Sequence, residues 1–146
     1  MLAAVLSDFA RIDGCSTVTT CDPKFECALV ERLADAPLVE IRPAPTSAVE
    51  SSLFRRLAGE SDATFVIAPE FDAILERRRR SCEECGGRWL GASSDALTLC
   101  ADKFTLAGYL ERHGISTIPT RLVVDLLEHR RPHTPFFRAV CKLRDG

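Results

Sequence analysis

The sequence predicts an α/β fold, a mostly parallel sheet flanked by helices. Three observations carry that expectation. Short β-branched or apolar runs alternate with segments of helical periodicity, the order expected of successive βα units. The run from Thr64 to Ala68 (T-F-V-I-A) reads as a continuous apolar strand, the sort buried on both faces of a parallel sheet. The composition, 46% hydrophobic and 27% charged over 146 residues, is that of a globular chain long enough for one ordinary domain.

Each element has its own local warrant. From Met1 to Ile12, Leu2, Val5, Leu6 and Phe9 fall at i, i+3, i+4 and i+7, which predicts an amphipathic helix that starts without a capping residue. Thr17 to Thr20 is a short β-branched strand ended by Asp22-Pro23; Lys24 to Leu33 is helical, and Leu38 to Ile41 forms a second strand. Ser47 and Glu50 have the spacing of a capping box. Val49, Leu53, Phe54 and Leu57 then supply a buried side, and Gly59 closes the helix. After the strand 64–68, Pro69 opens a helix with Glu70 and Asp72 in its first turn and Arg77 to Arg80 in its last.

The best-specified stretch runs from Asp95 to Thr120. Asp102 stands where an N-cap belongs, and Lys103 follows in the first turn. Phe104, Ala107 and Leu110 give one buried face, while Arg112 and His113 bring positive charge to the last turn. Gly114 fits the left-handed C′ position, with Ile115 folding back on Leu110 as in a Schellman motif. Pro119 prevents continuation. Beyond Thr120, strands at Leu122 to Val124 and Phe137 to Lys142 flank the loop His129 to Pro135.

Several function classes find no support. No apolar run approaches the ~20 residues needed to cross a bilayer, and the N-terminus lacks a basic signal-peptide start. A net charge of −2 exerts no general pull on nucleic acid. Seven cysteines, an odd number without a secretory signal, suit a reducing, cytoplasmic setting. Cys82-x-x-Cys85 lacks a second close pair to complete a zinc site, so ordinary loop cysteines are expected there. Arg77 to Arg80 point in all directions around a helix and read as a solvated helix end. Gly86-Gly87-x-x-x-Gly91 is not a dinucleotide fingerprint.

Four stretches together resemble a known superfamily. D-K at Asp102-Lys103, an amphipathic helix, then G-I-x-x-x-P-T from Gly114 to Thr120 is similar to the passage in ATP-grasp enzymes from the N-terminal domain into the nucleotide-binding domain. F-F-R-A-V-C-K-L-R-D-G, from Phe136 to Gly146, resembles the strand carrying a nucleotide-contacting lysine and the first glycine of a phosphate-covering loop. V-I-A-P-E-F-D-A-I-L (Val66 to Leu75) and G-G-R-W-L-G (Gly86 to Gly91) are similar to the tyramine–glutamate ligase branch.

The resemblance implies a Rossmann-like pre-ATP-grasp domain over 1–116, lacking its first strand, and the beginning of an ATP-grasp domain over 117–146. It implies a carboxylate–amine ligase in which ATP phosphorylates a carboxylate and an amine attacks the acyl phosphate. ATP and Mg²⁺ are its implied cofactors, with the metal ligands expected after Gly146. The fragment is therefore expected to bind ATP but to be inactive alone, with an open sheet edge that favours self-association. Lys103 and Lys142, two of only three lysines, fall on the nucleotide-contact positions. Glu70 and Asp72, just past a buried strand, first of all complement the helix N-terminus; the second reading makes Glu70 a candidate contact for a small amine substrate. A rival reading is a non-catalytic α/β module that binds a ligand or partner.

Overall fold

In a computed structural model of the chain, the described residues are 1–34, 36, 38–69, 71–124 and 140–144. They divide into two units, Met1–Ile67 with Arg80–Leu90, and Ala68–Arg79 with Gly91–Gly146.

The first unit is α/β. It runs α1 (Leu2–Phe9), β1 (Thr17–Cys21), α2 (Pro23–Arg32), β2 (Val39–Pro43) and α3 (Ser47–Glu60). The strands pair in parallel, in a register from Thr17 opposite Val39 to Cys21 opposite Pro43. Residues two apart share a face of a strand, so Cys21, Val39 and Ile41 meet the helices together. There they pack against a buried cluster of Leu6, Leu29, Leu33 and Ala36. Each buried leucine contributes about 1.5–3 kcal/mol of transfer free energy. α1 begins at Met1 with no side-chain cap, as its sequence implies.

Helix starts follow local chemistry. The Asp22 carboxylate accepts from the Lys24 amide at 3.0 Å, with Pro23 pre-setting the first turn of α2. At α3 the cap lies one residue earlier than the capping-box spacing suggests. Thr46, in extended backbone, accepts from the Val49 amide at 3.2 Å, and Ser47 is already helical. Nor does Gly59 end α3. The helix continues to Glu60, and the missing side chain admits the Cys85 carbonyl, which a Cβ on Gly59 would meet at 2.9 Å.

The expected strand at 64–68 reduces to one bridge. Thr64 pairs in parallel with Trp89, donating to the Arg88 carbonyl and accepting from the Leu90 amide, both at 2.8 Å. Phe65 is 51% exposed, so the run is not buried on both faces. An apolar run states a preference for burial, whereas a strand needs a partner ladder, and among the described residues none continues past Thr64.

The second unit holds a 3₁₀ turn (Phe71–Ala73), the first part of α4 (Ile74–Glu84), α5 (Ser94–Ala101) and α6 (Lys103–Arg112). Pro69 does not open a helix. Asp72 and Ala73 take left-handed φ of 53° and 51°, so α4 begins at Ile74. This moves Arg77 to Arg80 into mid-helix, and they are not simply solvated. Arg77 donates to the Asp72 carbonyl, and Arg79 grips Glu76 through two bonds of 2.8 and 2.9 Å, with both side chains mostly buried. Cys82 lies within α4, fully buried, and is not a loop cysteine. Its helix spacing turns the thiol inward, a placement that the motif alone cannot supply.

α5 has no counterpart among the expected elements. Ser93 caps it, accepting from the Ala96 amide at 3.3 Å, and it packs against α6 with Leu97 and Ala107 buried. Of the strands expected beyond Thr120, residues 122–124 and 140–142 form none, and 137–139 lie outside the described residues. No helix among the described residues is long and apolar enough to cross a membrane.

Candidate functional site

α6 carries one of the two candidate lysines at its first position, and its start is held by unusually many bonds. Asp102 Oδ1 accepts from the amides of Phe104 and Thr105, both at 3.0 Å, and Oδ2 accepts from the Thr105 hydroxyl at 2.9 Å. The far end is equally ordered. Ile115 N–H donates to the Leu110 carbonyl at 2.9 Å and Gly114 N–H to Glu111 at 3.0 Å, the two bonds of a Schellman motif, with Gly114 at φ 69°.

The segment 140–144, which carries Lys142, returns to that same helix start. Arg144 donates from Nε and Nη2 to Asp102 Oδ2 at 2.9 and 2.5 Å. Its guanidinium lies 5.8 Å from the centre of the Phe104 ring, within cation–π range. Its carbonyl accepts from the Lys103 amide at 3.1 Å. These bonds, from Arg144 first and then from Thr105, hold the Asp102 carboxyl well below the usual carboxylate range. Lys142 is exposed and stands two residues before Arg144; Lys103 is half-buried.

Phe104 also borders a cavity of about 460 Å³ along α6, lined further by Thr105, Gly108, Glu111, Arg112 and Thr120. That volume is in the range of small-molecule sites. The cavity offers an aromatic wall, two hydroxyls, the Arg112 guanidinium and the Glu111 carboxylate, beside a helix start whose Lys103, Phe104 and Thr105 amides are already taken by the Arg144 carbonyl and Asp102 Oδ1.

A second cavity, of about 330 Å³, lies in the first unit at the carboxyl ends of β1 and β2. Thr20, Cys21, Asp22, Thr46, Ser47 and Glu50 line it, so the starts of α2 and α3 both border it. In open α/β sheets this edge is where ligands bind. Burial, aided by the Glu26 and Asp22 carboxylates, pushes the Cys21 thiol up. This cavity is absent from the sequence reading, although two strands each followed by an Asp or Thr cap are a signal that points to it.

Glu70 lies outside the described residues, and Asp72 is exposed. Among the described residues no three or more His, Cys, Asp or Glu side chains come together as a metal site would require. Cys85 donates its thiol to the Ser81 and Cys82 carbonyls, at 3.2 Å each, turning back along α4.

Searches of curated proteins and of solved structures each found no significant match. A family model described as the pre ATP-grasp 3 domain matches residues 15–97, from just before β1 into α5. Lys103 and Lys142 lie beyond the match. It covers more than half of the chain and the whole of its parallel β-α-β segment, so this chain belongs to the pre ATP-grasp 3 domain family, the N-terminal part of ATP-grasp proteins.

Proposed function

We propose that this chain is the N-terminal part of an ATP-dependent carboxylate–amine ligase of the tyramine–glutamate branch. Its domains would be 1–116 and 117–146, with Lys103 and Lys142 contacting the nucleotide. The observation that carries the nucleotide assignment is the return of segment 140–144 to the start of α6. A lysine ammonium is a compact point charge suited to phosphate oxygens. One in the first turn of α6 and one on the segment that Arg144 ties to it would together offer the positive field that phosphoryl transfer uses. Glu70 is proposed as a contact for the amine substrate.

Mg²⁺, the metal implied for such a ligase, would neutralise charge on the nucleotide phosphates. The described residues do not supply a carboxylate cluster to hold it. The role proposed for these 146 residues is accordingly nucleotide contact without turnover. The alternative, a non-catalytic ligand-binding module, draws on the cavity at the β1–β2 edge. Self-association is proposed through the outer edges of β1 and β2, which have no partner strand among the described residues.

Isothermal titration of the chain with MgATP decides between the readings. Binding weakened by Lys103→Ala and by Lys142→Ala, with no ADP release, is expected. Absence of binding removes the nucleotide assignment, and sustained ADP release abolished by Lys142→Ala removes the claim of inactivity. Light scattering across a concentration series tests self-association, and a concentration-independent monomer mass rejects it.

A further inference from the structure

We infer that Asp102 and Arg144 are positioning residues, forming a clasp that holds the backbone carrying Lys142 at the helix start carrying Lys103. The division of labour within Asp102 supports this. Oδ1 serves the helix, accepting the Phe104 and Thr105 amides. Oδ2 takes the Thr105 hydroxyl and, beyond what the helix needs, both Nε and Nη2 of Arg144. A capping residue needs only the first set of bonds. The second joins residues 42 apart in sequence, which local helix formation cannot explain.

Arg144 is held in three ways. Its fork meets the carboxylate, its guanidinium stacks toward Phe104, and its carbonyl takes the Lys103 amide. That amide is one of the four donors a helix leaves unsatisfied at its start, so the returning segment completes the cap. The backbone on either side of Arg144 is thereby fixed against the first turn of α6. Lys142, two residues upstream, cannot move far from Lys103 while the clasp is closed. A lysine at 144 would keep a charge for Asp102 but lose the second N–H donor and the planar group beside Phe104.

The clasp itself does not depend on the nucleotide reading; only its consequence for ATP rests on it. The chain has three lysines, Lys24, Lys103 and Lys142, so a short bifunctional amine-reactive cross-linker reports on few pairs. The expected result is a Lys103–Lys142 cross-linked peptide in the wild-type chain. Its yield should fall about two- to fivefold in Asp102→Asn and in Arg144→Gln, as befits a partly exposed ion pair. Asparagine keeps the cap, so helix content by circular dichroism should hold in Asp102→Asn. Raising the salt concentration on wild-type protein should lower the same yield and needs no variant. No Lys103–Lys142 product in wild type, or a yield indifferent to salt and to both substitutions, overturns the clasp. If the yield falls but MgATP affinity does not, the clasp stands and the nucleotide reading fails. If both fall together, both stand.

Discussion

Gly87→Ala should destabilise the first unit, and the structure says by how much. A Cβ built on Gly87 lies 2.6 Å from the Ala58 carbonyl oxygen, 2.8 Å from Cys82 Sγ and 3.0 Å from the Ala58 carbonyl carbon. Neither neighbour can step aside. Ala58 is 2% exposed within α3, Cys82 is fully buried, and the Gly87 amide is itself bonded to the Cys82 carbonyl at 2.9 Å. Gly87 is not among the positive-φ glycines, so the penalty is contact and not dihedral strain. Overpacking of this kind costs typically ~1–3 kcal/mol, and a backbone neighbour argues for the upper half. For a chain of this size that lowers the melting temperature by about 4–12 °C. Trp89, the only tryptophan, stands two residues away and is half-buried, so its fluorescence reports melting of this unit directly. Adding Cys82→Ala removes the sulfur contact but not the carbonyl one. The double variant should therefore show a coupling of more than ~0.5 kcal/mol and only partial rescue. A Gly87→Ala protein melting with wild type would refute the packing described here.

Three further outcomes follow from particular groups. Gly108 lies inside α6 with nothing within 4 Å of a built Cβ, so Gly108→Ala should stabilise by up to ~1 kcal/mol in melts followed by far-ultraviolet circular dichroism. Iodoacetamide on native protein should label the exposed Cys27, Cys100 and Cys141 first. Cys21 should lag because its raised pKa lowers the thiolate fraction, and Cys82 should react only on unfolding; mass mapping reads the order. The Asp102 carboxyl is depressed in the folded state, so its contribution is complete above the ordinary carboxylate value of ~3.9 and fades as pH falls below it. Carboxyl-carbon NMR should place its midpoint well under that value in wild type and higher in Arg144→Gln; equal midpoints would sink the assignment.

What was legible in the sequence divides by range. The boundaries of α6, its Asp102 cap and its Gly114–Ile115 ending could all be read, because capping joins a side chain to backbone within a few residues. β1 and β2 were legible for a similar reason, each being a short β-branched or apolar run closed by a turn signal. The failures are non-local or are ties. Ser47 and Thr46 both carry the hydroxyl an N-cap needs, and only the extended backbone at Thr46 settles which serves. Gly59 looked like a stop because glycine ends helices, yet its role is set by a carbonyl 26 residues away at Cys85. Thr64 to Ala68 offered burial without a partner ladder. The Asp102–Arg144 bond could not be foreseen, since neither residue's neighbours record the other.

The two cavities also differ in the sign of charge they suit, and this bears on where an anion goes. Helix starts favour negative ligands, but a fixed carboxylate at the cap works against them. At the β1–β2 edge the cap of α2 is Asp22, and Glu50 shares the lining, with no Lys or Arg contributing. At α6 the capping carboxylate is met by the Arg144 guanidinium, Lys103 follows directly, and in the neighbouring cavity the Glu111 carboxylate is offset by the Arg112 guanidinium. Coulomb energies at a few ångströms reach ~1 kcal/mol even in water and about 4 kcal/mol near a protein surface, so one neutralised carboxylate is enough to reverse a preference. A phosphate is therefore better served at α6, and a cationic or amine-bearing molecule at the β1–β2 edge. Sulfate should accordingly shift the amide resonances of Lys103 and Phe104 more than those of Lys24 and Val49. The reverse order would assign the anion to the sheet edge and take the physical basis from the lysine pair.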